Sequence, residues 1–566
     1  MFAHYLWKKK WFMVLYAVLA VASAVSAALL DLYVTDLFDA VKVGKFDYIV
    51  KSFGILFVWF VATRLGEHFT RITGIHITNV VRQDIKHDLF AVVISRQIPD
   101  YADRNAGEYI AEFTNDITVI ERKFLTPCLD IISYVITTVT VGIAIFTIDY
   151  RMALVILLGA ALCFGLPFWM TKYTSERMIR FITRFDRFVQ HLKDMFGAFF
   201  TFKNYAVEKE IVDNFAKENT EVEQTKFKAE FSLVIMNNIL GRLAWAIEIL
   251  VVIIGLLAVI YGDLSVGSVF SAFLLAGQLG RPLQNFSNQI SMMRSVKGIE
   301  KKFKALGMLD TKIEPDQTTT RQAQPFDVKI NNVSLTLKEN EVLRQVSLTF
   351  EHGKKYLILG GNGSGKSTTA KLLKNNYHNY TGDVTLGEYD LQSPEGVGLT
   401  RFISYSNEAV SLLSDTVRNN ILLYRDLPEP QLEKAVALAE LNVPLDRPIG
   451  DGGRFLSSGE RRKLEIARAL VEEPQILILD EVVSTLDIET AYEIENLVLS
   501  LNDRTVVMIS NAFSGKLLSK YDQIIMMSNG SVLAQGTHSE LLEKSPEYRE
   551  VYQLRCGKGK EGQHVS

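Results

Sequence analysis

An all-α membrane domain of six helices with long cytosolic helical extensions, followed by an α/β domain built around a phosphate-binding P-loop, is the fold class that the sequence predicts. Three observations predict it. Long apolar blocks fill the first half of the 566 residues and are absent from the second. The soluble-looking half alternates strand-like and helix-like patterns, as α/β domains do. Between one such strand and helix lies a glycine-rich loop ending in Lys366 and Ser367. A mean hydropathy of +0.13, with 48% hydrophobic and 22% charged residues, is therefore the average of two unlike materials.

The membrane half rests on six apolar runs, at 11–33, 49–69, 129–146, 153–170, 239–261 and 266–283. Each approaches the roughly 20 residues that a helix rising about 1.5 Å per residue needs to cross the hydrocarbon core. The first run is too long for a signal-peptide core and no small-residue cleavage site follows it, so it is expected to stay in place. Lys8, Lys9 and Lys10 precede it, which puts the N-terminus in the cytoplasm by the positive-inside rule, and six crossings return the C-terminus there. Only residues 1–10 stand before the first run and none is cysteine, so no accessory protease domain is expected in front.

Connections after runs 1, 3 and 5 are short, whereas those after runs 2 and 4 are long, basic and rich in helix formers over 80–95 and 181–224. The spans are expected to continue as helices well into the cytosol, interrupted by short turns around 97–107 and 200–208. These turns are either contact points for the soluble half or plain hairpin tips.

Charges within the runs need partners, since an ionised side chain at the bilayer centre costs at least about 2.5 kcal/mol. Arg64, Glu67 and His68 share one helical face; Arg242 and Glu248 lie in run 5; Gln278, Arg281, Gln284, Asn285, Asn288 and Gln289 follow run 6. A polar cavity wall and a set of internal ion pairs or interfacial positions both satisfy that requirement.

Lys and Arg number 61 against 64 Asp and Glu, a net charge of −3, which lacks the basic excess of a nucleic-acid binder. Cys128, Cys163 and Cys556 form no CxxC pair and stand beside no histidine cluster, so neither disulfides nor zinc are encoded and packing is their expected role.

Residues 1–310 are assigned to the membrane domain, 311–324 to a polar linker containing Thr318, Thr319 and Thr320, 325–556 to the α/β domain and 557–566 to a disordered tail. The apolar strand 356–359 runs into Gly360, Gly361, Asn362, Gly363, Ser364, Gly365, Lys366, Ser367 and Thr368, then a helix. This is G-x-x-x-x-G-K-[ST] in the strand–turn–helix setting it requires. Backbone N–H groups of such a loop wrap a polyphosphate, Lys366 neutralises the terminal phosphates and Ser367 reaches Mg²⁺. A second strand, 476–479, ends in Asp480, suited to holding Mg²⁺, and Glu481, placed to polarise an attacking water. Leu456, Ser457, Ser458, Gly459 and Glu460 open a helix whose N-terminus presents hydroxyl and N–H groups to a phosphate, or simply caps itself.

Walker A, the LSSGE segment, the LILDE strand and then Ser484, Thr485, Leu486 and Asp487, in that order behind six spans, resemble an ATP-binding cassette (ABC) transporter of the exporter-fold half-transporter type. The resemblance covers nearly the whole chain. It implies Mg²⁺-dependent ATP hydrolysis, and two nucleotide-binding domains that close head to tail with each ATP between one Walker A and the other subunit's signature segment. Ser457, Ser458, Gly459, Glu460 and Asp487 thereby join the nucleotide-binding candidates, and the interruptions near Tyr101 and Asn204 resemble coupling helices.

Departures from the family pattern are specific. LSGGQ is replaced by LSSGE, the glutamine-loop position is Glu408, the switch histidine is Asn511, and the adenine-stacking aromatic is Leu337. Glu408 keeps an oxygen donor for Mg²⁺; Asn511 can bond a phosphate or Glu481 but carries neither the charge nor the proton of histidine. The expectation is an ATP-driven pump, half of a dimer and preferably a heterodimer, exporting a substrate that no motif identifies across the cytoplasmic membrane of a bacterium. Uptake of a metal chelate or other small molecule, and a membrane-anchored regulatory ATPase, are the alternatives.

Overall fold

The structure, a computed structural model, describes residues 1–43, 46–96, 101, 104, 106–308, 324–337, 340–407, 411–484, 486–511 and 515–556. It divides into two compact units, one of the described residues up to 308 and one of those from 324 onward. Most of the linker and of the first interruption, with Glu408, Thr485 and the tail 557–566, lie outside the described residues.

Unit one is helical. A short helix Phe2–Lys8 leads into Lys10–Val43 and Phe46–Ile94, then Ala106–Ile148, Tyr150–Gly197, Phe199–Tyr205 and Glu208–Ile260. Val266–Gln278, Gly280–Ser295 and Lys297–Ala305 complete it. Lys10–Phe38, Ile49–Ile94, Ala106–Ile148 and Glu208–Ile260 are long and apolar enough to span a membrane, and Tyr150–Cys163 is a shorter apolar stretch. The 53 residues of Glu208–Ile260 measure about 80 Å at the helical rise, far more than a bilayer, so this helix extends well beyond the membrane. Run 6 is not one helix: it breaks after Gln278, with Leu279 still right-handed at φ −79 and ψ −14, next to Gly280.

Polarity is inverted relative to a soluble bundle. Ala20, Ala24 and Ala28, spaced by one turn, face inward and are buried, while Val14, Val18, Val21 and Val25 are exposed. Small residues let helix backbones approach and large ones face lipid, because hydrocarbon tails are as apolar as any side chain. The turn at 200–208 consists of Phe199–Tyr205 and Ala206 in the left-handed region at φ 54.

Helix Ala106–Ile148 widens to π geometry over Glu112–Asp116 and Glu121–Leu125. Glu112 is fully buried there; it accepts from Arg104 Nη1 at 3.0 Å and lies 3.2 Å from Lys302 Nζ.

Unit two holds two sheets. One is antiparallel in the order β2-β1-β4-β5, from Val328–Leu337 (β1), Asn340–Phe350 (β2), Tyr380–Leu386 (β4) and Tyr389–Asp390 (β5). The other runs β10-β9-β3-β8-β7-β6, from Lys355–Gly360 (β3), Ile403–Ser406 (β6), Ile476–Asp480 (β7), Thr505–Ile509 (β8), Gln523–Ser528 (β9) and Ser531–Gly536 (β10). All its pairs are parallel except β9 with β10. β7 and β8 are buried at every residue, as parallel strands covered on both faces must be, whereas β1 alternates buried with exposed positions. The adjacent order β3-β8-β7-β6 brings four C-terminal strand ends to one edge of the sheet, where α/β folds bind ligands.

Candidate functional site

Gly360 ends β3 and the following loop turns into helix Lys366–Leu373. Two glycines make the turn possible. A Cβ on Gly360 would sit 2.4 Å from Met527 O, and Gly365 has φ 98. The loop, with Thr368, Lys371, Val342, Tyr405, Asn407, Asp480 and Glu481, lines an open cavity of about 480 Å³.

Lys366 is buried on the floor of this cavity and donates from Nζ to Gly360 O and Gly361 O, both at 2.9 Å. Burial pushes its ammonium below the ordinary lysine range, while the carboxylates of Glu481 and Asp480 pull the other way. Ser367 Oγ donates to Asp480 Oδ1 at 3.0 Å, so β7 and the start of the helix meet through one oxygen pair. These hard oxygen donors fit Mg²⁺, which takes one or two protein oxygens beside phosphate.

Glu481 follows directly, with φ 53, a left-handed backbone that costs a non-glycine residue about 1 to 3 kcal/mol. Its N–H donates to Ile509 O at 2.8 Å, pinning the strained residue to the end of β8. Asn511, two residues beyond β8, donates from Nδ2 to Glu481 Oε1 at 2.7 Å and to Asn362 Oδ1 at 2.9 Å. One amide thus links the catalytic-base candidate to the loop. The reverse orientation of the Asn511 amide would point its oxygen at a carboxylate that only accepts, which fixes the assignment.

Some expected residues stand elsewhere. Leu337, at the end of β1, packs against the hydrophobic cluster between the sheets and is not on the cavity wall. Ser457 caps helix Ser458–Leu470 in a reciprocal capping box: its hydroxyl accepts from Glu460 N–H and its own N–H donates to Glu460 Oε2. Asp487 caps helix Ile488–Ser500, and the Thr490 backbone N–H holds its carboxyl below the usual carboxylate range. Neither segment lines the cavity. Of the residues that do, Tyr405 and Asn407 fall in the glutamine-loop stretch near 405–416 but carried no assigned role, and Lys371 and Val342 were missed by sequence reasoning.

In unit one, Arg64 Nη1 pairs with Glu67 Oε2 of its own helix at 2.8 Å, so these two charges satisfy each other. Glu248 has no ion-pair partner among the described residues, and its Oε1 lies 3.8 Å from the position of a Cβ on Gly280.

Residues 13–283 match the family model described as ABC transporter transmembrane region, and residues 343–484 the one described as ABC transporter. An ATP-dependent lipid A-core flippase of Pseudomonas fluorescens is 34% identical over 308 residues, 52% of this chain and 50% of its own length, so the match spans half of that relative. A flippase of the same description from Syntrophus aciditrophicus is 24% identical over 513 residues, covering 88% and 84%. The lactococcin-G-processing and transport ATP-binding protein LagD of Lactococcus lactis is 27% identical over 532 residues, covering 89% and 72%. The solved structure of a bacterial Atm1-family ABC exporter with ATP bound shares the fold, with a TM-score of 0.78 at 21% identity over 96% of this chain and 98% of that one.

Proposed function

This chain belongs to the ABC transporters, multi-pass membrane proteins that hydrolyse ATP, and from that premise we propose that it is one half of a dimeric exporter in a bacterial cytoplasmic membrane, with both termini in the cytoplasm. The observation that carries the reading is the union, in one chain, of lipid-facing helices with a cavity where Lys366, Ser367, Asp480 and Glu481 converge, with Asn511 bonded to Glu481. Relatives described as flippases and as a processing and transport protein favour outward movement, and none of those named above is described as an importer.

ATP lies with its phosphates in the loop 360–368. The backbone N–H groups and Lys366 bind the terminal phosphates, and Lys366 already has its ammonium inside the loop, held by Gly360 O and Gly361 O. Ser367 and Asp480, with Glu408, would hold Mg²⁺, which when bound would neutralise negative charge developing on the phosphates. Glu481 orients and deprotonates the attacking water, and Asn511 keeps that carboxylate in place through a neutral donor. Ser457, Ser458, Gly459, Glu460 and Asp487 serve the partner's site, in keeping with their absence from this chain's own cavity wall.

A heterodimer explains the departures best. In a homodimer Glu408, Asn511, Leu337 and Glu460 would recur in both sites; a partner with an intact signature and switch histidine supplies one complete site. Glu460 adds an independent argument, since its carboxylate sits at a helix N-terminus meant for a phosphate. The test is expression alone and together with candidate partner halves, then reconstitution in vesicles. Low ATPase from this chain alone and a rise of at least about tenfold with the partner are expected; full ATPase and transport from this chain alone would refute the heterodimer.

Glu248 is proposed to face a polar substrate path. Glu248→Gln should preserve expression, melting temperature and basal ATPase while reducing substrate-stimulated ATPase several-fold. Were it half of a buried ion pair, neutralisation would instead cost about 3 to 5 kcal/mol of stability, seen as a lost or much lower melting transition.

A further inference from the structure

Asp480 is buried at the end of β7, and both oxygens of its carboxylate are engaged by hydroxyls from different elements. Ser367 donates to Oδ1 at 3.0 Å and Tyr405 donates to Oδ2 at 2.9 Å. Tyr405 lies on β6, three residues before the glutamine-loop position Glu408, and its Cα is in register with Ile478 of the neighbouring strand. Its ring reaches along β7 toward Asp480 and forms part of the cavity wall.

An aspartate carboxylate turns about both Cα–Cβ and Cβ–Cγ, so on a strand end it can present either oxygen at several angles. Two donors on opposite oxygens leave one orientation, and Ser367 alone would not, because its hydroxyl turns toward a metal when one is present. A carboxylate oxygen only accepts, so the Tyr405 hydroxyl is the donor of this pair. From this arrangement we infer that Tyr405 is a positioning residue for the metal-binding carboxylate: it holds Oδ2 so that Oδ1 faces the divalent cation beside Ser367, and thereby sets the Mg²⁺ requirement of nucleotide binding. Outer groups that orient a metal ligand typically change metal affinity by about 10- to 100-fold when removed.

This inference rests on the Mg²⁺–ATP reading of the cavity, and one titration separates the two. Intact protein in detergent is titrated with Mg²⁺ at a fixed concentration of a fluorescent ATP analogue, and the Mg²⁺ midpoint is measured for the unmodified chain and for Tyr405→Phe, beside binding without Mg²⁺. The expected result is a midpoint raised by about tenfold in Tyr405→Phe with Mg²⁺-free binding unchanged. Partial unfolding lowers the amplitude and leaves the midpoint where it was, so a merely structural hydroxyl does not mimic the effect. If Tyr405→Phe does not fold, Tyr405→Met, with its adaptable side chain, carries the same expectation. An unchanged midpoint overturns the positioning role; no Mg²⁺ response in the unmodified chain overturns the metal reading beneath it.

Discussion

Replacing Glu481 with glutamine leaves ATP bound and reduces turnover at this chain's site by on the order of 10²- to 10⁴-fold, the contribution of a positioned general base. The substitution is sharp because it removes little else. Glutamine keeps an amide oxygen that can accept from Asn511 Nδ2, as Glu481 Oε1 does at 2.7 Å, and the Glu481 backbone N–H still donates to Ile509 O. The strained φ of 53 is a backbone property and is equally available to glutamine. Binding of a labelled nucleotide and single-turnover hydrolysis, read on the same purified complex, separate the two effects. In a complex with a second active site, the bound label is followed at this site by photo-crosslinking. A rate within twofold of the unmodified protein would mean that Glu481 is not the base.

Lys366→Ala should do the opposite, weakening binding itself by at least about a hundredfold, since each charge-assisted hydrogen bond to phosphate contributes about 1.5 to 3 kcal/mol and Lys366 supplies more than one. Folding should survive, because a buried ammonium is held below its ordinary range by desolvation and its loss relieves that penalty, while Gly360 O and Gly361 O can turn to water in the open cavity. Lys366→Arg is expected to fail almost as badly: the planar guanidinium is too broad for a loop that encloses a single ammonium. Equilibrium binding with a melting curve on each variant checks both points. Near-normal affinity in Lys366→Ala would place the phosphates elsewhere.

What the sequence made legible was whatever lies contiguous along the chain. The strand, the loop and the helix from Lys355 to Leu373 are one unbroken stretch whose chemistry is local, and the six apolar runs follow from hydropathy alone. The S-x-x-E spacing of Ser457 and Glu460 equally encodes the capping box, because both partners sit on one turn. Links across strands were illegible. Tyr405 and Asp480 are 75 residues apart, and Asn511 lies 149 from Asn362; only the strand order β3-β8-β7-β6 brings them together. Leu337, at the position where the family pattern has an aromatic, lies at the end of β1, partly buried against the apolar cluster, a packing that its sequence neighbours do not reveal.

The two π turns of helix Ala106–Ile148 bear on how this chain is to be aligned and engineered. Each π turn takes up one residue more than an α-turn, and at 3.6 residues per turn an extra residue swings everything beyond it by about 100°. By Thr126 the helix has therefore accumulated a rotation of about 200°, and a face chosen by counting from Ala106 would be nearly the wrong one for the lipid-facing residues Val135, Val139 and Ile143. Single-residue gaps in comparisons with relatives belong at Glu112–Asp116 and Glu121–Leu125, where a deletion only tightens a wide turn. The same deletion between Thr126 and Ile148 would roll the remainder of the span, carrying apolar side chains inward and buried Val141 and Ile145 out into lipid.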